Sequence, residues 1–363
     1  EFRRVLFRSI LGLLKELFSG VLYLFTAEGL KTLVMFVISG VLIYLAIKKD
    51  YEPALLLPIG FGAILANLPP VIDQVTGSAT ASVLGSEGFL TVLFNAGIKN
   101  ELFPVLIFIA VGAMIDFSPL LKDPSMIFFG AAAQFGIFAT FLLSLVLIPI
   151  VLPQTAGNDS LILRLASAIG IIGAADGPTT LYVANHFNLA DYMAPISVAA
   201  YSYMSLVPVI QPPVIRALTS KEERMIRMTY TEERASKLAL ILFPVIVTVA
   251  AGVVVPMSAP LVGSLMFGNL IRECGVLNSL SETAQKVLAN LITIFLGISI
   301  AFNMHAVQFL KPQTLLIMGL GLVAFIFDTA GGVLVAKFLN LFLPKGRKIN
   351  PMIGAAGISA FPM

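Results

Sequence analysis

The chain has 363 residues, of which 58% are hydrophobic and 12% charged, and its mean hydropathy is +0.96. Because soluble domains carry about a quarter of charged residues, this composition excludes a water-soluble enzyme. The formal net charge of +3 gives no support to a nucleic-acid-binding protein. Cys274 is the single cysteine, so an intrachain disulfide and a CxxC metal site are both excluded. Several apolar runs approach the roughly 20 residues that cross a bilayer as a helix, which predicts an all-α polytopic membrane protein.

The two ends of the chain are interpreted separately from the fold. Residues 1–9 lack an initiator Met and a signal-peptide pattern, and we interpret them as a cloning or assembly remnant. Residues 10–30 mix large apolar side chains with a few charges, a pattern typical of an amphipathic helix in the membrane interface. The chain stops directly after a Gly-rich motif, and we expect the C-terminus to be truncated.

Apolar runs predict seven membrane spans between these ends. In chain order they are 32–47, 103–116, 126–152, 190–212, 238–255, 283–301 and 313–342. Gly and Pro interrupt three further apolar stretches, at 53–70, 165–180 and 258–271. For these three stretches we expect broken helices rather than plain spans.

An internal repeat organises the spans. The sequence Ile172-Gly-Ala-Ala recurs at Ile353, and each copy follows a glycine, a Lys-containing turn with Pro and a long apolar run, in the same order. This pattern predicts a first transmembrane repeat with its following span at 31–212, and a second repeat at 238–363. Residues 213–237, rich in Arg, Lys and Glu, form the predicted cytoplasmic loop between them.

Charge predicts that the second copy is inverted. The loop before the second IGAA carries Lys345, Arg347 and Lys348, whereas its counterpart at 153–160 has only Asp159. Cytoplasmic loops are enriched in Lys and Arg, so these two loops fall on opposite sides of the membrane. Inverted repeats whose Gly/Pro-broken helices meet near the midplane are typical of ion-coupled transport proteins.

The segment Gly173–Thr180 (GAADGPTT) places a carboxylate, Asp176, among residues that interrupt a helix. Unwound carbonyl oxygens beside a carboxylate suit an alkali cation, and a carboxylate inside a membrane is a functional candidate by default. The alternative is a surface turn in which Asp176 only caps a helix. Asp328 also lies within a predicted span and is a second candidate for ion or proton handling.

Two neutral segments complete the candidate site. Asn350–Ser359 supplies amide, hydroxyl and carbonyl oxygens for a Na⁺ cage with Asp176, although Gly-mediated helix packing explains the same residues equally well. Tyr201–Ser205 places hydroxyls in an apolar span, where a tyrosine could pass a proton when Na⁺ arrives. For such a tyrosine, anchoring at the membrane interface is the commoner alternative.

At these segments the chain resembles the β subunits of the sodium-pumping, biotin-dependent decarboxylases that act on oxaloacetate, methylmalonyl-CoA and glutaconyl-CoA. The matching motifs are Gly173–Thr180, Ala199–Pro213 (AAYSYMSLVPVIQPP), Gly268–Gly275 (GNLIRECG) and Asn350–Met363 (NPMIGAAGISAFPM). The resemblance implies a subunit that decarboxylates carboxybiotin and couples CO₂ release and proton consumption to Na⁺ export. An independent secondary transporter of a small anion is the alternative that the inverted repeat alone leaves open.

The resemblance also implies site residues and partners. Asp176, Tyr203 and Ser359 resemble the catalytic and proton-path residues, and Asp176, Asn350, Gly354 and Ser359 resemble the Na⁺ ligands. Biotin would be carried by a partner subunit. The implied partners are carboxyltransferase and biotin-carrier subunits and a small single-span membrane subunit, in a hetero-oligomer of the bacterial or archaeal cytoplasmic membrane.

Overall fold

The computed structural model describes residues 18–50, 53–69, 71–72, 79–80, 88–174, 176–189, 192–228, 235–344 and 348–357. These ranges are mostly helical, which confirms the predicted all-α class. The only strands within them are β1 (Val71–Ile72) and β2 (Ala79–Thr80), which pair antiparallel. The predicted remnant at 1–9 and the first part of the predicted interfacial helix, up to residue 17, lie outside the described residues.

The helices up to the charged loop are α1 (Ser19–Tyr23), α2 (Ala27–Lys48), α3 (Pro53–Ala66), α4 (Phe89–Phe94), α5 (Leu102–Met114), α6 (Ser118–Lys122), α7 (Ile127–Ala133), α8 (Phe135–Val151), α9 (Asp159–Ile172), α10 (Gly177–His186) and α11 (Met193–Leu218). A π-helical turn, Asn95–Lys99, follows α4. Short 3-10 turns lie at Pro124–Met126 and Pro153–Thr155.

The remaining helices are α12 (Lys221–Arg224), α13 (Lys237–Val254), α14 (Ala259–Glu273), α15 (Asn278–Glu282), α16 (Ala289–Ile300), α17 (Ala306–Phe309) and α18 (Pro312–Phe342). A π-helical turn at Thr283–Leu288 joins α15 to α16, and 3-10 turns lie at Pro256–Ser258, Ala301–Met304 and Pro351–Gly357.

Within the part of the chain that the structure describes, five continuous helical stretches are long and apolar enough to cross a membrane: Ala27–Lys48, Ile127–Val151, Lys237–Val254, Asn278–Met304 and Pro312–Phe342. A sixth candidate is the bent pair Phe89–Lys99 and Leu102–Met114, whose two parts meet at 60°. These six coincide with predicted spans. The seventh predicted span, 190–212, lies in α11, whose 26 residues also have the length to cross a bilayer.

The prediction of broken helices holds for one of the three stretches interrupted by Gly and Pro. Residues 165–180 are interrupted, because α9 ends at Ile172 and α10 begins at Gly177. The prediction for 258–271 was wrong, since α14 runs unbroken through Gly268. The glycine serves packing there: a Cβ at Gly268 would overlap the carbonyl oxygen of Ile109 in α5. Residues 53–70 likewise contain a regular helix, α3, which continues through Pro58.

Helices of the two halves of the chain pack against each other. Helix α3 packs against α16, and α14 packs against α5. Asn67, just after α3, donates to the carbonyl oxygen of Met304 at 2.8 Å, and Asn269 of α14 donates to that of Ile115 at 2.9 Å. The two asparagines therefore make corresponding links between the halves. That the halves are inverted relative to each other stays a prediction.

Helix α8 has opposite faces of different character. Its exposed side chains include Phe138, Leu142, Val146 and Ile150, each at least 60% exposed and spaced four residues apart. Its buried stripe is Gly136, Thr140, Ser144 and Ile148. A helix that exposes its large apolar residues and buries small and polar ones suits a lipid-facing position.

Helix α18 belongs to the second half of the chain and packs against four helices of the first half. It packs against α7, α8, α9, α11 and the Pro351–Gly357 turn. Phe325 is fully buried in it and belongs to the same apolar cluster as Ile172 at the end of α9. All the segments that carry the predicted site therefore meet one helix.

Candidate functional site

The break between α9 and α10 is built by Asp176, Gly177 and Pro178. Proline within the first turn of α10 has no N–H to donate and its fixed φ suits a helix start. Asp176 takes the N-cap position, where Oδ1 accepts from the Thr179 backbone N–H at 3.1 Å and Oδ2 from the Thr179 hydroxyl at 2.6 Å. The alternative reading of Asp176 as a helix cap is thus correct in its geometry.

Although Asp176 caps α10, it does not lie in an isolated turn. Arg164, near the start of α9, donates to the carbonyl oxygen of Phe187, just after α10, at 3.3 Å. Helices α9 and α10 therefore form a hairpin, with the half-buried Asp176 at its tip. The carboxylate lies where the C-terminal carbonyls of one helix and the N-terminal N–H groups of the next come together.

The hairpin tip rests on α18. A Cβ added to Gly173 would lie 2.6 Å from Oδ2 of Asp328 and 2.7 Å from Cβ of Ala324. Only a residue without a side chain lets α9 end this close to the carboxylate of α18. Asp328, a secondary candidate from the sequence, is fully buried at this contact.

Tyr203 meets α18 about two turns before Asp328. Its hydroxyl donates to the carbonyl oxygen of Met318, and the residue is 6% exposed. A Cβ at Gly321 would lie 2.8 Å from the Tyr203 ring and 2.9 Å from Cγ2 of Ile172. The tyrosine is therefore a buried residue beside the end of α9. The described contacts do not support the alternative of an exposed interfacial anchor.

Gly354 meets α18 one turn beyond Asp328. A Cβ on Gly332 would overlap the carbonyl oxygen of Gly354, and a Cβ on Gly354 would overlap that of Gly332. Gln211 of α11 also donates to the carbonyl oxygen of Ala355 at 2.8 Å. The Gly-mediated packing that was the alternative interpretation of the second IGAA segment is therefore present at Gly354. The carbonyl oxygen of Gly354 contacts α18 one turn beyond Asp328.

Asn350 faces the charged loop. Its amide Nδ2 donates to the carbonyl oxygens of Arg224 at 3.0 Å and Ile226 at 3.1 Å, and its Oδ1 accepts from the Met352 backbone N–H at 3.0 Å. The side chain thus fixes the start of the Pro351–Gly357 turn against the loop. Among the described residues no hydrogen bond joins Asn350 to Asp176. Ser359 lies outside the described residues.

The ends of α11 and α18 are joined by a charged cluster. Lys337 donates to the carbonyl oxygen of Leu218 at 2.9 Å and pairs with Glu223 at 3.2 Å. Glu223 and Ser220 form a capping box at the start of α12. The backbone N–H of Ser220 is the largest influence that lowers the pKa of Glu223, and Lys337 adds to it.

The structure thus brings Tyr203, Gly173 and Gly354 to one face of α18, at Gly321, Asp328 and Gly332. Sequence reasoning identified these segments, placed Asp328 second to Asp176 as a candidate, and did not assign a role to Thr179. Both had a signal in the sequence. Asp328 is a carboxylate inside a span, and Thr179 follows an N-cap position by three residues.

The chain is similar to known proteins over a range that includes all of these segments. The sequence profile described as the Na⁺-transporting oxaloacetate decarboxylase beta subunit matches residues 31–363. The methylmalonyl-CoA decarboxylase subunit beta of Propionigenium modestum is 44% identical over 93% of this chain and 85% of its own length. The oxaloacetate decarboxylase beta chain of Klebsiella pneumoniae is 42% identical over 91% and 84%. The glutaconyl-CoA decarboxylase subunit beta of Acidaminococcus fermentans is 45% identical over 91% and 81%.

These matches span both halves of the chain, the α9–α10 break and the second IGAA segment. They do not favour an independent secondary transporter. A β subunit implies partner subunits, and the apolar helices make this one a multi-pass membrane protein. The chain belongs to the family of Na⁺-transporting decarboxylase β subunits, membrane proteins in which decarboxylation is coupled to Na⁺ export.

Proposed function

We propose that Asp176 binds the transported Na⁺ and, when no Na⁺ is present, carries the proton that decarboxylation consumes. The observation that supports this role is the position of its carboxylate at the tip of the α9–α10 hairpin, between two helix ends. Thr179 holds both carboxylate oxygens in place. Each oxygen keeps a further lone pair that can accept a cation or a proton.

The reaction needs an acid at the leaving nitrogen. In carboxybiotin the bond between the ureido nitrogen and the carboxylate carbon breaks, CO₂ leaves, and the nitrogen keeps the electron pair and takes up one proton. Tyr203 and Ser359 are the residues we assign to the proton path. Asn350, Gly354 and Ser359 are the neutral Na⁺ ligands that accompany Asp176.

We assign the charged end of α11 and α18 to the cytoplasm, where a partner's biotin carrier would approach. A cavity of about 720 Å³ opens there, and its lining includes Lys337, Lys348 and Glu223. Lysine ammonium groups suit the carboxylate of carboxybiotin. The partners are carboxyltransferase and biotin-carrier subunits and a small single-span subunit, assembled in the cytoplasmic membrane of a bacterium or archaeon.

The test measures CO₂ release from a carboxybiotinylated carrier domain, with the full-length protein in proteoliposomes, with and without Na⁺. Asp176→Asn keeps the size of the side chain but cannot take up a proton or balance the charge of Na⁺. We expect CO₂ release to fall by a factor of about 10² to 10⁴, the usual contribution of a positioned acid.

Asp159→Asn is the matched control, because Asp159 is an exposed carboxylate at the start of the same hairpin. We expect this variant to keep its Na⁺-dependent activity. Equal activity of Asp176→Asn and the unmodified protein would contradict the role proposed for Asp176.

A further inference from the structure

A cavity of about 390 Å³ lies beside α10. Its walls come from α10, the start of α11 and the π-helical Asn95–Lys99 turn of the first half, and from the Ala301–Met304 turn of the second half. A volume of a few hundred Å³ is typical of small-molecule sites. Asp176, Tyr203 and Asn350 are not among its lining residues, so the ion and proton site does not account for it.

The cavity has an apolar wall and a polar one. On the apolar side the rings of Phe94 and Phe302 stack with their centroids 4.5 Å apart. Among the described lining residues, the polar ones are four asparagines and a single charged side chain, the exposed Lys99. A positive charge and amide groups beside an aromatic wall suit a ligand with a negative charge and an apolar part.

Asn303 provides a buried donor in this cavity. The residue is 4% exposed, and its amide Nδ2 is buried without a hydrogen-bond partner among the described residues. Because a buried donor that makes no hydrogen bond is costly, the amide of Asn303 requires an explanation. An oxygen atom of a ligand in the cavity would satisfy it.

The two halves of the chain can be matched at this level. Asn67 and Asn269 donate to the carbonyl oxygens of Met304 and Ile115, respectively. These two carbonyls lie the same number of residues after the end of a π-helical turn, which is Leu288 in the second half and Lys99 in the first. The π-helical turns and the carbonyls therefore give the same match.

By this match, the polar lining residues have apolar counterparts in the other half. Asn95, Lys99 and Asn303 correspond to Ala284, Leu288 and Met114, respectively. The corresponding elements form with apolar side chains at these positions, so the fold does not require an amide or an ammonium group there. The polar groups of the cavity must therefore have another purpose.

The charge of Lys99 is not neutralised within the described part of the chain, where it forms no salt bridge. Glu101 follows it closely in sequence but does not line the cavity. Its Oε1 accepts instead from Nδ2 of Asn185 at 2.7 Å. The charge that the described residues present to the cavity is therefore positive.

We propose that this cavity binds a small organic acid with its carboxylate at Lys99, its apolar part against Phe94 and Phe302, and an uncharged oxygen that accepts from Nδ2 of Asn303. Lys99 lies at the exposed end of the cavity and Asn303 at the buried end. Such a ligand would contact both halves of the chain and α10, the helix that Asp176 caps.

The probe is ¹⁴C-labelled 5-oxohexanoate, in equilibrium dialysis against the purified intact membrane complex in lipid nanodiscs. It carries a carboxylate at one end of a short apolar chain and a ketone oxygen near the other. We expect one molecule to bind per β subunit. Hexanoate lacks the ketone and 2-hexanone lacks the charge, and each should compete about tenfold less well.

Two variants introduce the residue that the other half carries. Lys99→Leu should weaken the binding of 5-oxohexanoate and of hexanoate about tenfold, because both lose the partner of their carboxylate. Asn303→Met should bind 5-oxohexanoate and hexanoate equally, because the donor to the ketone is gone. Lys286→Leu is the matched control, since Lys286 is an exposed lysine in the other π-helical turn, and its binding should not change.

The proposal is overturned if the unmodified complex does not bind 5-oxohexanoate, or if Lys99→Leu binds it as tightly as Lys286→Leu does. Should Lys99→Leu fail to assemble, the probes decide on the unmodified complex, where equal affinities for 5-oxohexanoate and 2-hexanone would overturn it. Binding that appears only after lipid is stripped from the complex would identify a lipid headgroup as the occupant and overturn a soluble acid. None of these outcomes bears on the role proposed for Asp176, which is measured by CO₂ release.

Discussion

Asp176 shows how one side chain can serve a fold and an ion at once. As the N-cap of α10 it accepts from the backbone and the hydroxyl of Thr179. Both bonds fix the orientation of the carboxylate at the start of α10. A carboxylate that is already oriented loses little side-chain freedom when a cation binds. The capping role therefore prepares the ion-binding role instead of replacing it.

Tyr203 gives the prediction at this scale. Tyr203→Phe keeps the ring against Gly321 and removes the hydroxyl that donates to Met318. If the hydroxyl passes the proton, CO₂ release falls about 10²-fold, while ²²Na⁺ binding at equilibrium changes little. The two measurements on the same preparation separate proton transfer from ion binding.

Tyr44→Phe serves as the control for Tyr203→Phe, because Tyr44 is 54% exposed on α2. Its hydroxyl should be dispensable for CO₂ release. A Tyr203→Phe variant that releases CO₂ at the rate of Tyr44→Phe would mean that the Tyr203 hydroxyl only supports packing.

At the scale of elements, α18 determines how the site is assembled. Three contacts follow one face of this helix, with Tyr203 at Gly321, Gly173 at Asp328 and Gly354 at Gly332. Each contact uses a glycine, because a Cβ would separate the segments. The second IGAA segment is consequently positioned by backbone contact with α18, and a change in α18 should move it.

Gly332→Ala tests this dependence. The added Cβ would overlap the carbonyl oxygen of Gly354, and relieving such a contact in a packed interior costs about 1–3 kcal/mol. We expect a lower melting temperature of the complex and weaker Na⁺ binding. Gly319→Ala in the same helix has open space around the new Cβ and should be neutral or stabilising, as alanine favours helix. Equal melting temperatures for the two variants would contradict the proposed contact.

The cytoplasmic cluster has a predicted pH dependence. The lowered pKa of Glu223 means that its bonds to Ser220 and Lys337 stabilise the folded α11–α12–α18 end when Glu223 is ionised. This stability is fully present above the ordinary pKa of 4.5 and is lost as the pH falls through the lowered pKa. The protection of the α12 amides against hydrogen exchange, measured relative to the intrinsic rate at each pH, should therefore fall as the pH drops below 4.5.

Glu223→Gln removes the titrating group while it keeps an amide oxygen. Its α12 amides should exchange faster than those of the unmodified chain at pH 7, and the difference should shrink as the pH falls. Because the Glu223 side chain is 29% exposed, solvent screens its interactions and the effect is small and local. If the difference in exchange between Glu223→Gln and the unmodified chain did not change with pH, a group other than Glu223 would be responsible for the protection.

At the scale of the whole molecule, the sequence predicted those features that depend on residues close together in the chain. Length and hydropathy located the spans, and Gly177 with Pro178 located the helix break. The sequence could not predict that Gly268 serves packing within a continuous α14, because the partner Ile109 is distant in sequence. For the same reason, the cavity beside α10 becomes visible only when both halves are assembled, because Asn303 comes from the second half.

The inverted repeat gives the last prediction, which concerns the topology of the whole chain. If the halves are inverted, the loops before the two IGAA segments face opposite sides of the membrane. Cysteines placed at exposed Gln154 and Lys348, in a Cys274→Ser background, report these sides through a membrane-impermeant maleimide.

In intact cells only the cysteine of Gln154→Cys should react, and that of Lys348→Cys should react after the membrane is opened. Lys49→Cys is the matched control. Lys48 and Lys49 follow the first span, and because basic residues are enriched on the cytoplasmic side, this variant should behave like Lys348→Cys. Labelling of both loops from the same side would mean parallel repeats. The links of Asn67 to Met304 and Asn269 to Ile115 would then have to arise without a two-fold axis in the membrane plane.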